Sequence, residues 1–342
     1  MEPAARKQHI LSAIVQSYIA TGEPVGSKSL IQEAGLKVSS ATVRNDMAEL
    51  TERGYLEQPH TSAGRVPTQA GYRYYVDNVM KVTPVSEQGR EYIMQTLSEA
   101  ADSPESILQG AAQLLSELTG FAAAAATPDS ENGRVRRISF VPTGAHSAMA
   151  VVIASNGVIK TKLFRCEFLL TPQMLEVFDK ALNEAFAGIR LGSVGLPFIQ
   201  TAAAGFGELS LYMSSALTAV MQACGLAAQI SVCRSGYHRL LPLAGDDYSR
   251  AHRLLAFLQN DHDLAAMLGK QPLTTAASIG TENSRVELAQ NSVVSARYIT
   301  EGSPSGVLAV IGPLRMDYAR TWSIIECTAD CVGSLIGGLI DE

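Results

Sequence analysis

The chain has 342 residues, 46% hydrophobic and 18% charged, which excludes a disordered chain and leaves room for about two or three domains. Asp and Glu (33) outnumber Lys and Arg (27), a net charge of −6, so the chain as a whole repels nucleic acid and any such contact must come from a local patch. Five cysteines without a C-x-x-C pair read as reduced thiols of a cytoplasmic protein. MEPAARKQHI lacks the apolar stretch of a secretory signal, and FAAAAA (121–126) and VGSLIGGLI (332–340) are too short to span a bilayer, so no membrane association is expected.

In chain order, Ile10, Leu11, Ile14, Val15, Tyr18 and Ile19 form one apolar stripe at helical spacing, ended by Gly22 and Pro24. Ser27 can cap a short second helix that Gly35 ends. Ser39 or Ser40 caps a third helix reaching about Arg53, pinned inward by Val43, Met47 and Leu50. Its opposite face then shows Ala41, Asn45 and Ala48, flanked by Thr42 and Arg44. Small side chains allow close approach to another surface. Asn and Arg suit bidentate hydrogen bonds to adenine and guanine edges, and the positive end of the helix favours phosphate. GYLEQPHTSAGRVPT (54–68) reads as strand, loop, strand. The N-terminal unit is therefore expected to be a winged helix-turn-helix that binds double-stranded DNA. Its third helix enters the major groove, and His60, Thr61, Ser62 and Arg65 at the wing tip meet phosphate or the minor groove. Composition lends no support, since residues 1–80 hold eight basic and eight acidic groups. A protein-docking role for the same unit stays open.

Residues 70–81 predict a helix whose Tyr72, Tyr75, Val76 and Val79 pack between units. TPVSEQG (83–89) reads as a linker. A helix with Ile107, Leu108, Ala111, Leu114, Leu115 and Leu118 follows. Then come strand-like segments FAAAAATP, VRRISFVPTG, SAMAVVIAS and GVIKTKLFRC, the last two joined by a hairpin signal at Asn156-Gly157. From about 169 the pattern turns helical (TPQMLEVFDKALNEAFAG, GELSLYMSSALTAVMQACG). Strand-like SVCRSGYHRLL and one or two helices over 246–270 come next. Strands resume at LTTAASIG, VELAQNSVVSARYIT and SGVLAVIGPLR, and a helix from about 317 closes the chain. Strands, a helical block and strands again predict an α+β domain with an insertion.

IVQSYIATGEPVGSKSL and VSSATVRNDMAELTERGYLEQPHTSAGRVPTQAGYRYYVD closely resemble the bacterial HrcA family of heat-inducible transcription repressors. ASIGTEN (277–283) and GVLAVIGPLRMDYAR (306–320) extend the likeness near the C-terminus. It is loose between about 85 and 270, and Thr51 stands where that pattern has glutamate. The resemblance implies a dimeric repressor of chaperone operons that binds an inverted-repeat operator and depends on a GroEL-type chaperonin. It implies a winged helix-turn-helix over 1–82, a linker over 83–103, and a GAF-like α+β domain in two parts, 104–168 and 236–342. A helical dimerisation domain is inserted at 169–235. DNA contacts are assigned to Ser39, Ser40, Ala41, Thr42, Arg44, Asn45, His60, Thr61, Ser62 and Arg65.

Enzyme chemistry is not expected. There is no P-loop or G-x-G-x-x-G, and GSPSG (302–306) has proline where a nucleophile elbow needs serine. Cys327 and Cys331 lack a second ligand pair, and His238, His252 and His262 lack catalytic partners, so no metal or cofactor is expected. Two further readings remain open at this stage: a small effector bound in the GAF-like domain, and a protein-binding or enzymatic module that uses the winged helix for docking.

Overall fold

The computed structural model of the protein describes residues 3–35, 38–60, 64–99, 101–127, 133–155, 157–244, 247–300 and 303–341. It is a mixed α+β structure. Three helices open it: α1 (Pro3–Thr21), α2 (Ser27–Ala34) and α3 (Ser40–Glu52). The apolar stripe of α1 buries Ile10, Leu11, Ile14 and Val15. Against it lie Leu30 from α2 and Val43, Met47 and Leu50 from α3, as their spacing predicts. Gly35 closes α2 in the left-handed conformation. The expected Ser27 cap is not made: Gly26 is the N-cap, and Ser27 is already helical. A short hairpin of β1 (Leu56–Glu57) and β2 (Val66–Pro67) follows, then α4 (Gln69–Asn78).

The expected linker over 83–103 is largely a helix, α5 (Glu87–Ser98). Ser86 caps it, its Oγ accepting from Gly89 N at 3.2 Å. Ile93 and Leu97 are buried in the main core, so this segment is packed rather than free.

Next come α6 (Pro104–Thr119) and β3 (Ala122–Ala126). The chain then makes β4 (Val135–Gly144), β5 (Ser147–Ala154), β6 (Ile159–Arg165), α7 (Pro172–Phe186), α8 (Leu196–Gly205) and α9 (Leu209–Ala227). It finishes with β7 (Val232–Ser235), α10 (Tyr248–Gln259), α11 (Asp261–Gly269), β8 (Ala276–Ile279), β9 (Asn291–Thr300), β10 (Ser303–Pro313) and α12 (Tyr318–Asp341). Two antiparallel sheets hold these strands. One is five-stranded, in the order β7-β3-β10-β9-β8; the other is the meander β4-β5-β6. On one face of the large sheet, Ala123, Ala125, Leu308 and Val310 pack with α6 and α12. That core runs on through Tyr72 and Tyr318, whose ring centroids are 5.8 Å apart, into the N-terminal helices. The other face is covered by Leu254, Phe257 and Leu258 of α10 and Leu264, Met267 and Leu268 of α11.

The meander belongs elsewhere. Ile138, Val152 and Phe164 share a separate core with Phe178, Phe186, Leu217 and Val220 of the following helices. This corrects the expected insertion at 169–235. The inserted module begins with the strand at 135, before the helical block, and ends before β7, which is a strand of the large sheet. Its two ends meet: Thr127 N donates to Ser231 O at 3.0 Å and Ser231 N to Thr127 Oγ1 at 2.8 Å. Helix α9 is long and apolar enough to cross a membrane by length and composition. Here, however, Met213, Leu217, Val220 and Cys224 are buried in the inserted module's core.

At Gly71 on α4 an added Cβ would lie 2.1 Å from Tyr55 O, a backbone atom with little room to retreat. Gly71→Ala is therefore expected to cost about 1–3 kcal/mol through overpacking. Urea denaturation followed by circular dichroism reads this, and an unchanged midpoint would count against the close packing of α4 on the hairpin.

Candidate nucleic-acid interface

Helix α3 begins with a group of hydroxyls. Ser39 is the N-cap; its Oγ accepts from Thr42 N at 3.1 Å and lies 2.9 Å from Thr42 Oγ1. Ser40 Oγ meets Ser27 Oγ at 3.1 Å, which ties the start of α3 to the start of α2. Two helix N-termini and four hydroxyls thus converge on one edge of the unit, where helix dipoles favour anions.

The outward face of α3 carries Ala41, Arg44, Asn45 and Ala48, all exposed, with Thr42 half-buried beside them. Two of the three acids of the helix are held by basic partners, while the third, Glu52, is exposed at its C-terminal end, away from the hydroxyl cluster. Asp46 is buried and takes a two-point contact from Arg6 of α1, Nε to Oδ2 at 2.6 Å and Nη2 to Oδ1 at 3.2 Å. That hydrogen bond raises the pKa of Arg6. Glu49 pairs with Lys7 and Arg53, and the hydrogen bond from Lys7 leads in holding its carboxyl below the ordinary range. Arg44 therefore stands on a face from which Asp46 and Glu49 have been turned away. The sequence reading missed Arg6 and Lys7. The available signal was Asp46, three residues after the buried Val43, a spacing that places a carboxylate inward and demands a partner.

The hairpin places its residues unevenly. His60 is exposed in the loop, while Thr61 and Ser62 lie outside the described residues. Arg65 departs from the expected tip position and sits at the base of the hairpin. Its backbone pairs both ways with Val25, each N–H···O at 2.9 Å, and its Nε donates to Thr51 Oγ1 at 3.1 Å. Gly64 makes this possible, since a Cβ there would fall 2.4 Å from the Val25 carbonyl. The structure thus brings Ser39, Ser40, Ala41, Thr42, Arg44 and Asn45 together and holds Arg65 against the C-terminal part of α3.

Among the described residues no group of three or more His, Cys, Asp or Glu side chains comes together as a metal site. All five cysteines are free thiols. Burial raises the pKa of each, that of Cys224 to about 12 and that of Cys331 to about 11.

Residues 105–322 match the family model of the HrcA protein C-terminal domain. The chain belongs to the HrcA family. Two relatives named heat-inducible transcription repressor HrcA are similar over nearly their whole length. The Moorella thermoacetica protein is 33% identical over 334 residues, covering 97% of each chain. The Chromobacterium violaceum protein is 34% identical over 335 residues, covering 97% of this chain and 98% of that one. A crystal structure of a hypothetical protein at 2.2 Å resolution shares the fold, with a TM-score of 0.62, 24% identity and coverage of 97% and 98%. The HrcA resemblance read from the residues therefore holds, and the chain is a transcription repressor by family rather than an enzyme.

Proposed function

We propose that this HrcA-family chain is a cytoplasmic, DNA-binding repressor of heat-shock chaperone operons. Its α1–α4 unit acts as a winged helix-turn-helix, and α3 reads an inverted-repeat operator in the major groove. The observation that carries this reading is the division of α3 into two faces. Asp46 and Glu49 are neutralised by Arg6, Lys7 and Arg53, and Ala41, Arg44, Asn45 and Ala48 are presented outward. The protein acts as a homodimer joined through the inserted module, which carries exposed Leu163, Leu169, Leu196, Leu211 and Tyr212. Its active state is maintained by a GroEL-type chaperonin. The large sheet and its helices correspond to the GAF-like domain. Leucine, methionine and phenylalanine side chains of α10 and α11 fill one face of that sheet, which favours this reading over a small effector held there.

Mobility shift with the inverted repeat upstream of the bacterium's own chaperonin genes, against a scrambled duplex, tests the reading. Equal affinity for the two would remove it. Arg44→Ala and Asn45→Ala are each expected to weaken specific binding by about 1–3 kcal/mol, the worth of a bidentate base contact. Unchanged operator affinity in both variants would exclude α3 from the groove.

A further inference from the structure

Helix α4 carries the N-terminal unit onto the large sheet at the loop after β8, residues 279–283. Gln69 and Arg73, one helical turn apart, face this loop. Arg73 donates from Nε to Glu282 Oε1 at 2.9 Å, and from Nη2 to both Glu282 Oε2 and the Ala277 carbonyl. Gln69 Oε1 accepts from Thr281 N and Thr281 Oγ1, each at 3.0 Å.

The loop is also held by hydrogen bonds of its own. The Asn283 amide donates to Gly280 O, Leu288 O and Asn291 O at 2.8, 3.2 and 2.9 Å. Ile279 N donates to Glu282 Oε2 at 2.8 Å. Gly280 takes φ +57°, and a Cβ there would fall 2.4 Å from Gln69 Oε1. Burial disfavours the ionised Glu282 carboxyl, but Arg73 and the Ile279 N–H outweigh it and hold the group below its ordinary range. Arg73 is held in turn by Asp77 on its own helix, Nη1 to Oδ1 at 3.1 Å.

We propose that loop 279–283 is an orientation socket: by fixing Gln69 and Arg73 it sets the angle of the reading head, so that two heads in a dimer meet two half-sites at one spacing. The proposal rests on the reading of α3 as a DNA-reading helix in a dimeric repressor. Gln69, Arg73, Thr281 and Glu282 are positioning residues and touch no DNA. A half-exposed ion pair adds little to net stability, whereas a forked guanidinium–carboxylate contact is strict in geometry. The head also has an anchor independent of the pair, in the Tyr72–Tyr318 contact and the Ser323 Oγ to Thr83 O hydrogen bond at 2.7 Å. Loss of the pair should let the head tilt without releasing it.

The test uses the full chain as wild type, Arg73→Ala, Glu282→Gln and Arg73→Lys. Each is titrated with a single half-site and with inverted repeats whose spacing grows one base pair at a time. The expected result is half-site affinity unchanged within about twofold, with operator affinity at the native spacing lower by about tenfold or more. This follows because effective concentration depends on the geometry of joint engagement. The spacing preference should flatten, and Arg73→Lys should lie between wild type and Arg73→Ala. Without DNA, hydrogen exchange should quicken at Thr281 in Arg73→Ala and stay unchanged in α1–α3. Variants that keep the wild-type spacing profile, bind more tightly, or lose half-site affinity in parallel with faster exchange in α1–α3 would overturn the socket. A wild type that does not distinguish operator from scrambled duplex would instead overturn the DNA reading itself.

Discussion

Excision of residues 128–230 is expected to lower affinity for the inverted repeat by about 10²- to 10⁴-fold while the remaining chain stays folded. The structure makes this deletion clean. Thr127 and Ser231 are hydrogen-bonded neighbours, and Ala126 pairs with Val232 in the antiparallel β3–β7 ladder. A two-residue Asn-Gly turn would therefore convert the two strands into an ordinary hairpin. The excised module takes its own core with it, Ile138, Phe178, Phe186 and Val220 among its members, and leaves both faces of the large sheet covered. What is lost is the surface that carries Leu196, Leu211 and Tyr212. On the proposed reading one head covers one half-site, and residues 1–80 carry no net positive charge to help it, so affinity at physiological salt would rest on joining two heads. A two-fold pair also matches the symmetry of an inverted repeat. Sedimentation should report a monomer for the excised chain and a dimer for the intact one, with half-site affinity equal in both. An excised chain that still binds the whole repeat as tightly as the intact chain would exclude this module as the link.

The N-terminal unit was legible because its signals are local. The stripe Ile10, Leu11, Ile14, Val15 and the trio Val43, Met47, Leu50 are helical spacings, and Ser39 and Gly35 are caps that act within one turn. What escaped depends on partners far along the chain. Helix α5 offers only Ile93 and Leu97 as buried anchors, and nearby Pro84 and Gly89 look like breakers; the main core, not the segment's own pattern, holds it. Strand β5 alternates much as any half-buried strand does, and β4 and β6 flank it. Nothing local tells that they leave the large sheet, since membership is decided when β3 pairs with β10 and β7. The site shows the same division. The outward residues of α3 follow from period alone, whereas the inward turn of Arg65 depends on Val25 and on the Thr51 hydroxyl, contacts made only once the hairpin has folded back.

Unaided refolding from denaturant is expected to return only a minor fraction of operator-binding protein, and a GroEL-type chaperonin with ATP is expected to recover most of it. The large sheet explains why. β3 is flanked by β10 and β7, both separated from it along the chain by the whole inserted module, so the sheet cannot close until these distant segments meet. Until then the Ala122–Ala126 strand lacks its neighbouring strands, and the apolar side of α6, with Leu108, Ala111 and Leu115, lacks the cover of α12. Non-local pairing of this kind folds slowly and leaves apolar surface exposed to aggregation, which is the surface a chaperonin captures. Heat shock, by diverting chaperonin to other clients, would then lower the active fraction and lift repression. The excised chain supplies the control. With β3 and β7 joined as a hairpin, one of the two long-range pairings of β3 becomes local, so its refolding should gain less from chaperonin than that of the intact chain. Active fractions are read by stoichiometric titration, with half-site duplex for the excised chain and operator for the intact one. Equal recovery with and without chaperonin, starting from soluble monodisperse protein, would exclude folding of this sheet as the step that couples repression to chaperonin supply.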